Sequence, residues 1–248
     1  MTQLPLDLQF ISTPGREDFI LGDCNRLAAS WIDRWPDWPG QYHILNLVGP
    51  RASGKSHLAA IWTEQADAIT LTGITGNAVP PAANLILDNP APDDRWCEEG
   101  LFHLVNRAVS PQSALLITSE VPVAQMEWRL ADLASRMRAV NLARLAPPDD
   151  ALLRQLLEKY FADRQLVVAV AVLDYMVSRM ERSFAALQTI AAAMDRRALA
   201  ERRSLTLPLA REIMTEFAAG DHARQPELPT GPDPLRTGPV FETEPTEE

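Results

Sequence analysis

The eight residues Gly49-Pro50-Arg51-Ala52-Ser53-Gly54-Lys55-Ser56 constrain this chain more than any other stretch. They follow an apolar run, Tyr42-His43-Ile44-Leu45-Asn46-Leu47-Val48, and open an apolar-periodic one, His57-Leu58-Ala59-Ala60-Ile61-Trp62. The order is strand, glycine-bounded loop, helix, with the spacing G-x-x-x-x-G-K-[ST]. Such a loop wraps a phosphate. Its backbone N–H groups point inward, and the following helix turns its positive end toward the anion. Gly49 and Gly54 permit the turn and a close backbone approach that a side chain would block. Lys55 reaches the β- and γ-phosphates, and the Ser56 hydroxyl can ligand Mg²⁺. Gly49, Ser53, Gly54, Lys55, Ser56 and His57 are therefore the candidate nucleotide contacts of this stretch, as opposed to an ordinary glycine-rich strand-to-helix turn.

The surrounding pattern suits an α/β core. Residues 68–72 read as a second strand, and Asn84-Leu85-Ile86-Leu87-Asp88-Asn89 as an apolar strand ending in an acid. A carboxylate at the tip of a buried parallel strand beside a phosphate loop is placed to hold Mg²⁺ through water, so Asp88 joins Ser56 as a candidate metal residue. A helix is expected over 93–109, where Trp96, Leu101, Leu104, Val105 and Ala108 keep a period near 3.6. Residues 113–118 and 139–145 read as strands, and 123–137 as two short helical stretches. Strands alternating with helices imply parallel βαβ units. Upstream, a helix is expected to run to about Trp35 with Asp23 as its N-cap, and Trp31 and Trp35 share one of its faces.

Pro147-Pro148-Asp149-Asp150 reads as a hinge and helix start, with acids suited to a first helical turn. Beyond it the pattern is helical: 151–165, a segment that begins extended at 166 and continues as helix, 183–202 with Ser183 as N-cap, and 208–219. From about Gly220 the composition becomes proline-rich and acidic, the signature of a disordered tail over 220–248. The expected domains are thus 1–14, a terminal peptide; 15–146, the α/β core; 147–219, a small all-α lid; and 220–248, the tail.

Composition narrows the function. The net charge is −10 and the pI near 4.9, which argues against a broad duplex-binding face. Any DNA contact is then indirect or weak. The longest unbroken apolar run, 166–173, is far too short to span a bilayer, and the N-terminus lacks a secretory pattern. Two distant cysteines, Cys24 and Cys97, read as thiols of a reducing, cytoplasmic compartment. The scattered histidines support neither a zinc site nor a Ser-His-Asp triad.

Taken together these residues resemble the AAA+ ATPases, and within them the replication initiator DnaA and its shorter relative Hda, over roughly residues 3–219. Residues 19–28, Phe19-Ile20-Leu21-Gly22-Asp23-Cys24-Asn25-Arg26-Leu27-Ala28, are similar to the segment that cups adenine, which implies nucleotide contacts at Phe19 and Leu21. Leu85-Ile86-Leu87-Asp88-Asn89 resembles the Walker B strand. Leu116-Ile117-Thr118-Ser119-Glu120 resembles the sensor 1 strand end, where Thr118, Ser119 and Glu120 compete and Ser119 is carried as the contact. Asp132-Leu133-Ala134-Ser135-Arg136-Met137 resembles the segment bearing an arginine finger, with Arg129 and Arg138 as nearby competitors. Glu181-Arg182-Ser183-Phe184-Ala185-Ala186-Leu187 resembles the lid helix carrying the sensor 2 arginine, which implies that Arg182 touches nucleotide phosphate. Gln3-Leu4-Pro5-Leu6-Asp7-Leu8 is similar to the peptide with which Hda docks on the replication sliding clamp, which implies clamp contacts at Gln3, Leu4, Leu6 and Leu8.

The resemblance implies ADP or ATP with Mg²⁺ as ligands, and the sliding clamp (beta) and DnaA as partners, with a homo-oligomer also compatible. The implied activity is promotion of DnaA-bound ATP hydrolysis, with Arg136 acting in trans. One departure bears on the chain's own chemistry. Where active relatives carry a second acid after the Walker B aspartate, this chain has Asn89, which cannot act as a base. Slow self-hydrolysis is the expectation. The alternatives are a self-sufficient ATP-driven loader or remodeller, and a clamp adaptor without catalysis.

Overall fold

In the computed structural model, residues 15–76 and 80–218 are described. The peptide 1–14, with Gln3, Leu4, Leu6 and Leu8, and the tail expected over 220–248 lie outside them.

Five strands, β1 (Ile44–Val48), β2 (Ile69–Leu71), β3 (Asn84–Asp88), β4 (Ala114–Ser119) and β5 (Asn141–Arg144), form one sheet in the order β2-β3-β4-β1-β5. Every pairing is parallel. Parallel strands are covered on both faces, and this explains why β1 and β4 are buried at every position instead of alternating. α1 (Arg26–Asp33) and α2 (Lys55–Ala66) cover one face, where Leu45, Leu47, Ile86 and Leu116 meet Leu58, Ile61 and Trp62. α3 (Glu98–Arg107) and α4 (Ala131–Met137) cover the other, where Ile44, Leu85, Leu115 and Ile117 meet Leu101, Leu104, Leu133 and Met137. Trp38 stacks on Trp62 at 5.5 Å and Trp35 meets it edge-on at 6.1 Å.

The lid is α5 (Asp150–Ala162), α6 (Val170–Val177), α7 (Phe184–Glu201) and α8 (Leu207–Ala218). It has its own apolar core, drawn wholly from residue 153 onward: Leu153, Leu157, Phe161, Met176, Ile190, Met194, Leu209 and Ile213 are all buried. Its helix starts obey local rules. Asp149 caps α5 by accepting from Leu152 N at 2.8 Å, and Ser183 caps α7 by accepting from Ala186 N at 3.1 Å.

Two local expectations give way to tertiary bonding. α1 begins at Arg26, not near Asp23. Asp23 is spent on an ion pair with Arg26, while buried Asn25 pins the preceding turn by accepting from Gly22 N and donating to Ile20 O. The helix expected over 93–109 starts only at Glu98. Ile74 N bonds Arg95 O and Cys97 N bonds Ile74 O, so Trp96 is buried through a bridge rather than on a helical face.

One buried polar knot ties the strand ends together. Asn46, fully buried in β1, donates to Ile117 O (3.2 Å) and Ser119 Oγ (2.9 Å) and accepts from Val123 N (3.1 Å). A second, at buried Glu98, accepts from Arg129 N and Leu130 N and pairs with Arg129 Nε at 3.3 Å. It fixes the chain immediately before α4.

Candidate nucleotide site

The phosphate loop leaves β1 at Gly49 and enters α2 at Lys55. Gly49 is clamped from two sides: its N–H donates to Ser119 O, and the neighbouring Val48 O accepts from Leu145 N at 2.7 Å. A Cβ built on Gly49 would stand 2.6 Å from Ser53 Oγ and 2.8 Å from Leu145 O, so any side chain there forces the loop to shift. Gly54 sits at φ 96°, in left-handed backbone that favours glycine. Ser53 is buried, and its Oγ has no hydrogen-bond partner among the described residues. A glycine cradle, an unpaired inward hydroxyl and a helix start behind them are what a bound phosphate requires.

Lys55 Nζ donates to Gly49 O and Pro50 O, each at 2.8 Å. Burial pushes its pKa down, against the upward pull of Glu120 and Asp88. An incoming phosphate would supply the charge partner that burial denies it. Asp88 ends β3 and accepts from Thr118 Oγ1 at 2.7 Å. Ser56 at the start of α2 and Asp88 at the strand tip are the oxygen donors the structure offers a hard cation such as Mg²⁺. The described residues hold no cluster of three or more His, Cys, Asp or Glu side chains suited to a metal ion, so such an ion would take its remaining ligands from phosphate and water.

A cleft of about 660 Å³ opens from the loop toward the lid. Phe19, Ile20 and Asn25 form one wall. Residues 52–57 form the floor, and the lid contributes Leu156, Lys159, Tyr160, Asp163, Arg164, Phe184, Leu187 and Gln188. Phe19 meets the His57 ring edge-on at 5.0 Å. This is the size and mixed lining of a small-molecule site.

The sequence-derived residues divide. Phe19, Ser53, Gly54, Lys55, Ser56 and His57 line the cleft together; Gly49 and Asp88 do not line it, but Gly49 O accepts from Lys55 Nζ and the Asp88 charge acts on Lys55. Leu21 does not line it and is 45% exposed, since the turn held by Asn25 directs Ile20 inward instead. Ser119 faces the wrong way. Side chains alternate along β4, so Thr118 shares the α2 face with Asp88, while Ser119 is fully buried on the α3 face against Asn46. Thr118 is the strand-end hydroxyl beside the candidate metal residue. Arg182 is directed to the hinge. Its guanidinium forms a two-pronged ion pair with Asp150 (2.8 and 3.1 Å), which raises the arginine pKa and lowers that of the carboxylate. The lid cations that reach the cleft are Lys159 and Arg164, the latter over the Tyr160 ring at 3.7 Å and 3.3 Å from Asp195. The spacing 156, 159, 160 on one face of α5 was the available signal for Lys159, whereas Arg164 lies beyond the helix end.

Arg136 lies elsewhere. It is in the last turn of α4, donates through Nη1 to Tyr42 Oη at 3.2 Å, and stacks on Phe102 at 4.8 Å. Tyr42 precedes the amino end of β1, whereas the phosphate loop follows its carboxyl end. Arg136 is therefore on the opposite face of the sheet and at the opposite end of a five-residue strand that spans about 16 Å. It cannot serve its own chain's cleft. Asn89, after Asp88, adopts φ 52°, a left-handed conformation that asparagine tolerates better than glutamate.

No helix among the described residues is long and apolar enough to cross a membrane. The family model of the Hda lid domain matches residues 150–214. Among solved structures, domain III of the Thermotoga maritima replication initiation protein DnaA is similar at TM-score 0.65 and 17% identity, covering 81% of this chain and 95% of that one. AMPPCP-bound DnaA from Aquifex aeolicus is similar at TM-score 0.59 and 15% identity, covering 72% and 64%. The Thermotoga maritima RuvB Holliday junction branch migration motor is similar at TM-score 0.63 and 14% identity, covering 82% and 71%. The parallel phosphate-loop core thus shares the fold of DnaA domain III, and the helical segment 150–214 beyond it matches the Hda lid domain.

Proposed function

We propose that this chain is a nucleotide-bound regulator that completes another protein's ATPase site. It holds ADP or ATP in the cleft between core and lid and docks on the DNA sliding clamp through Gln3, Leu4, Leu6 and Leu8. It then presents Arg136 to ATP held by DnaA, promoting hydrolysis and restraining re-initiation. Residues 49–57 and 19–20 bind and orient its own nucleotide, and the lid residues exclude water from it. Mg²⁺, held by Ser56 and Asp88, would neutralise charge on the phosphates.

The observation that carries this reading is the separation of Arg136 from its own phosphate loop by the full sheet. A planar, permanently charged fork there can stabilise phosphoryl charge only on a nucleotide brought by another protein. Asn89 supports the same division of labour, because an exposed amide in left-handed backbone offers no general base for the chain's own ligand.

The test is hydrolysis of DnaA-bound ATP in the presence of DNA-loaded clamp, comparing the intact chain, Arg136→Ala and a Gln3/Leu4 double-alanine variant. Both variants should fail, and the chain alone should turn ATP over slowly. An unchanged rate with Arg136→Ala would instead mark a non-catalytic adaptor. A fast rate independent of clamp would mark a self-sufficient loader.

A further inference from the structure

Arg136 does not hang free at the end of α4. Its Nη1 donates to the Tyr42 hydroxyl at 3.2 Å, and its guanidinium carbon lies 4.8 Å from the Phe102 ring centre and 5.9 Å from that of Tyr42. Tyr42, Phe102 and Arg136 are each half-buried. They come from three separate elements: the approach to β1, the middle of α3 and the last turn of α4. The base of this cluster is rigid. His43 N donates to Ala108 O just after α3, and buried Glu98 anchors the chain entering α4.

We infer that Tyr42 and Phe102 are positioning residues for Arg136, holding its guanidinium in one outward-facing geometry for the phosphate of a nucleotide bound by a partner AAA+ subunit. The chemistry of this cluster fits that role better than that of an ordinary surface arginine. A free arginine forfeits its rotamer freedom on docking, a loss that grows with the number of side-chain bonds frozen. Stacking on Phe102 and one hydrogen bond to Tyr42 freeze those bonds beforehand. The hydroxyl takes only one of five N–H donors, so four remain for phosphate oxygens. Neither neighbour carries charge, so the guanidinium keeps its full positive field. The nearby arginines lack this arrangement. Arg129 is spent on Glu98, and Arg138 is exposed with no partner among the described residues.

This inference rests on the proposed role of Arg136, and the experiment separates the two. The assay is hydrolysis of initiator-bound radiolabelled ATP, with DNA-loaded clamp, at varied concentrations of the full chain. The variants are Arg136→Ala, Tyr42→Phe, Phe102→Leu and Phe102→Tyr, each with its unfolding midpoint. Tyr42→Phe and Phe102→Leu should each lower the maximal rate by about twofold to tenfold, with the half-saturating concentration within about twofold of the parent. Phe102→Tyr keeps the ring and should restore most of the loss. The midpoint of Tyr42→Phe should match the parent, because a half-exposed hydroxyl loses little stability, so its rate defect would reflect positioning. If Arg136→Ala abolishes hydrolysis while Tyr42→Phe and Phe102→Leu run at the parent rate, positioning is refuted and the finger stands. If Arg136→Ala itself runs at the parent rate, the underlying reading falls and this inference falls with it.

Discussion

Replacing Gly49 by alanine tests the phosphate loop with the smallest possible change. The new methyl would sit 2.8 Å from Leu145 O and 2.6 Å from Ser53 Oγ, well inside ordinary van der Waals contact. Ser53 can rotate away. Leu145 O cannot, because Leu145 N is bonded to Val48 O at 2.7 Å and β5 is registered on β1. Gly49 itself is held by the bond from its N–H to Ser119 O. The loop must therefore shift, and overpacking of this kind costs about 1–3 kcal/mol. If that cost falls on the geometry that binds phosphate, nucleotide affinity drops by about fivefold to a hundredfold. Titration with fluorescent ADP and ATP analogues reads the affinity, and thermal unfolding without nucleotide reads the stability. Gly40→Ala is the control. Gly40 has φ 102° and nothing within 4 Å of a Cβ, so alanine there should cost about 1 kcal/mol of stability through backbone strain and leave affinity alone. Affinity of Gly49→Ala within about threefold of the parent would refute the packing argument, and an equal affinity loss in Gly40→Ala would show that the defect is general destabilisation.

Other consequences can be checked with similar economy. Asn46→Ala removes three buried hydrogen bonds and leaves Val123 N and Ser119 Oγ unpaired; urea unfolding should show a loss of about 2–5 kcal/mol. Asp150 has its pKa lowered by its hydrogen-bonded ion pair with Arg182, so its contribution to stability within the lid is present above the unfolded value near pH 3.9 and is lost as pH falls through the lowered folded value. The unfolding midpoints of the parent and Asp150→Asn should accordingly differ at neutral pH and converge below about pH 4. Exchanging Lys159 and Arg164 for alanine should weaken nucleotide binding, whereas Arg182→Ala should not, because only the first two reach the cleft; isothermal titration of the parent and both variants decides it.

Much of this molecule could be read locally. A phosphate loop is a short-range object: glycine tolerance, a lysine and a hydroxyl at fixed spacing between a strand and a helix. The structure keeps that order from Ile44 through Ala66. The apolar runs around Leu45, Ile86 and Leu116 announced strands buried on both faces, and the cap at Ser183 and the acids at 149–150 announced helices, because a helix start depends on residues only a few positions away. What stayed illegible depends on register and on contacts between distant segments. Thr118 and Ser119 are adjacent in sequence, yet the pleat sends one to Asp88 and the other to Asn46. Arg182 looked toward phosphate until Asp150, 32 residues away, took it. Arg136 could be suspected from its neighbours in sequence, but its distance from its own loop, and its seat between Tyr42 and Phe102, exist only once β1, α3 and α4 are packed. Local chemistry determined that a phosphate can be held. Only the tertiary fold decided which strand-end hydroxyl reaches Asp88, which lid cations line the cleft and that Arg136 lies away from it, since each depends on how distant segments pack.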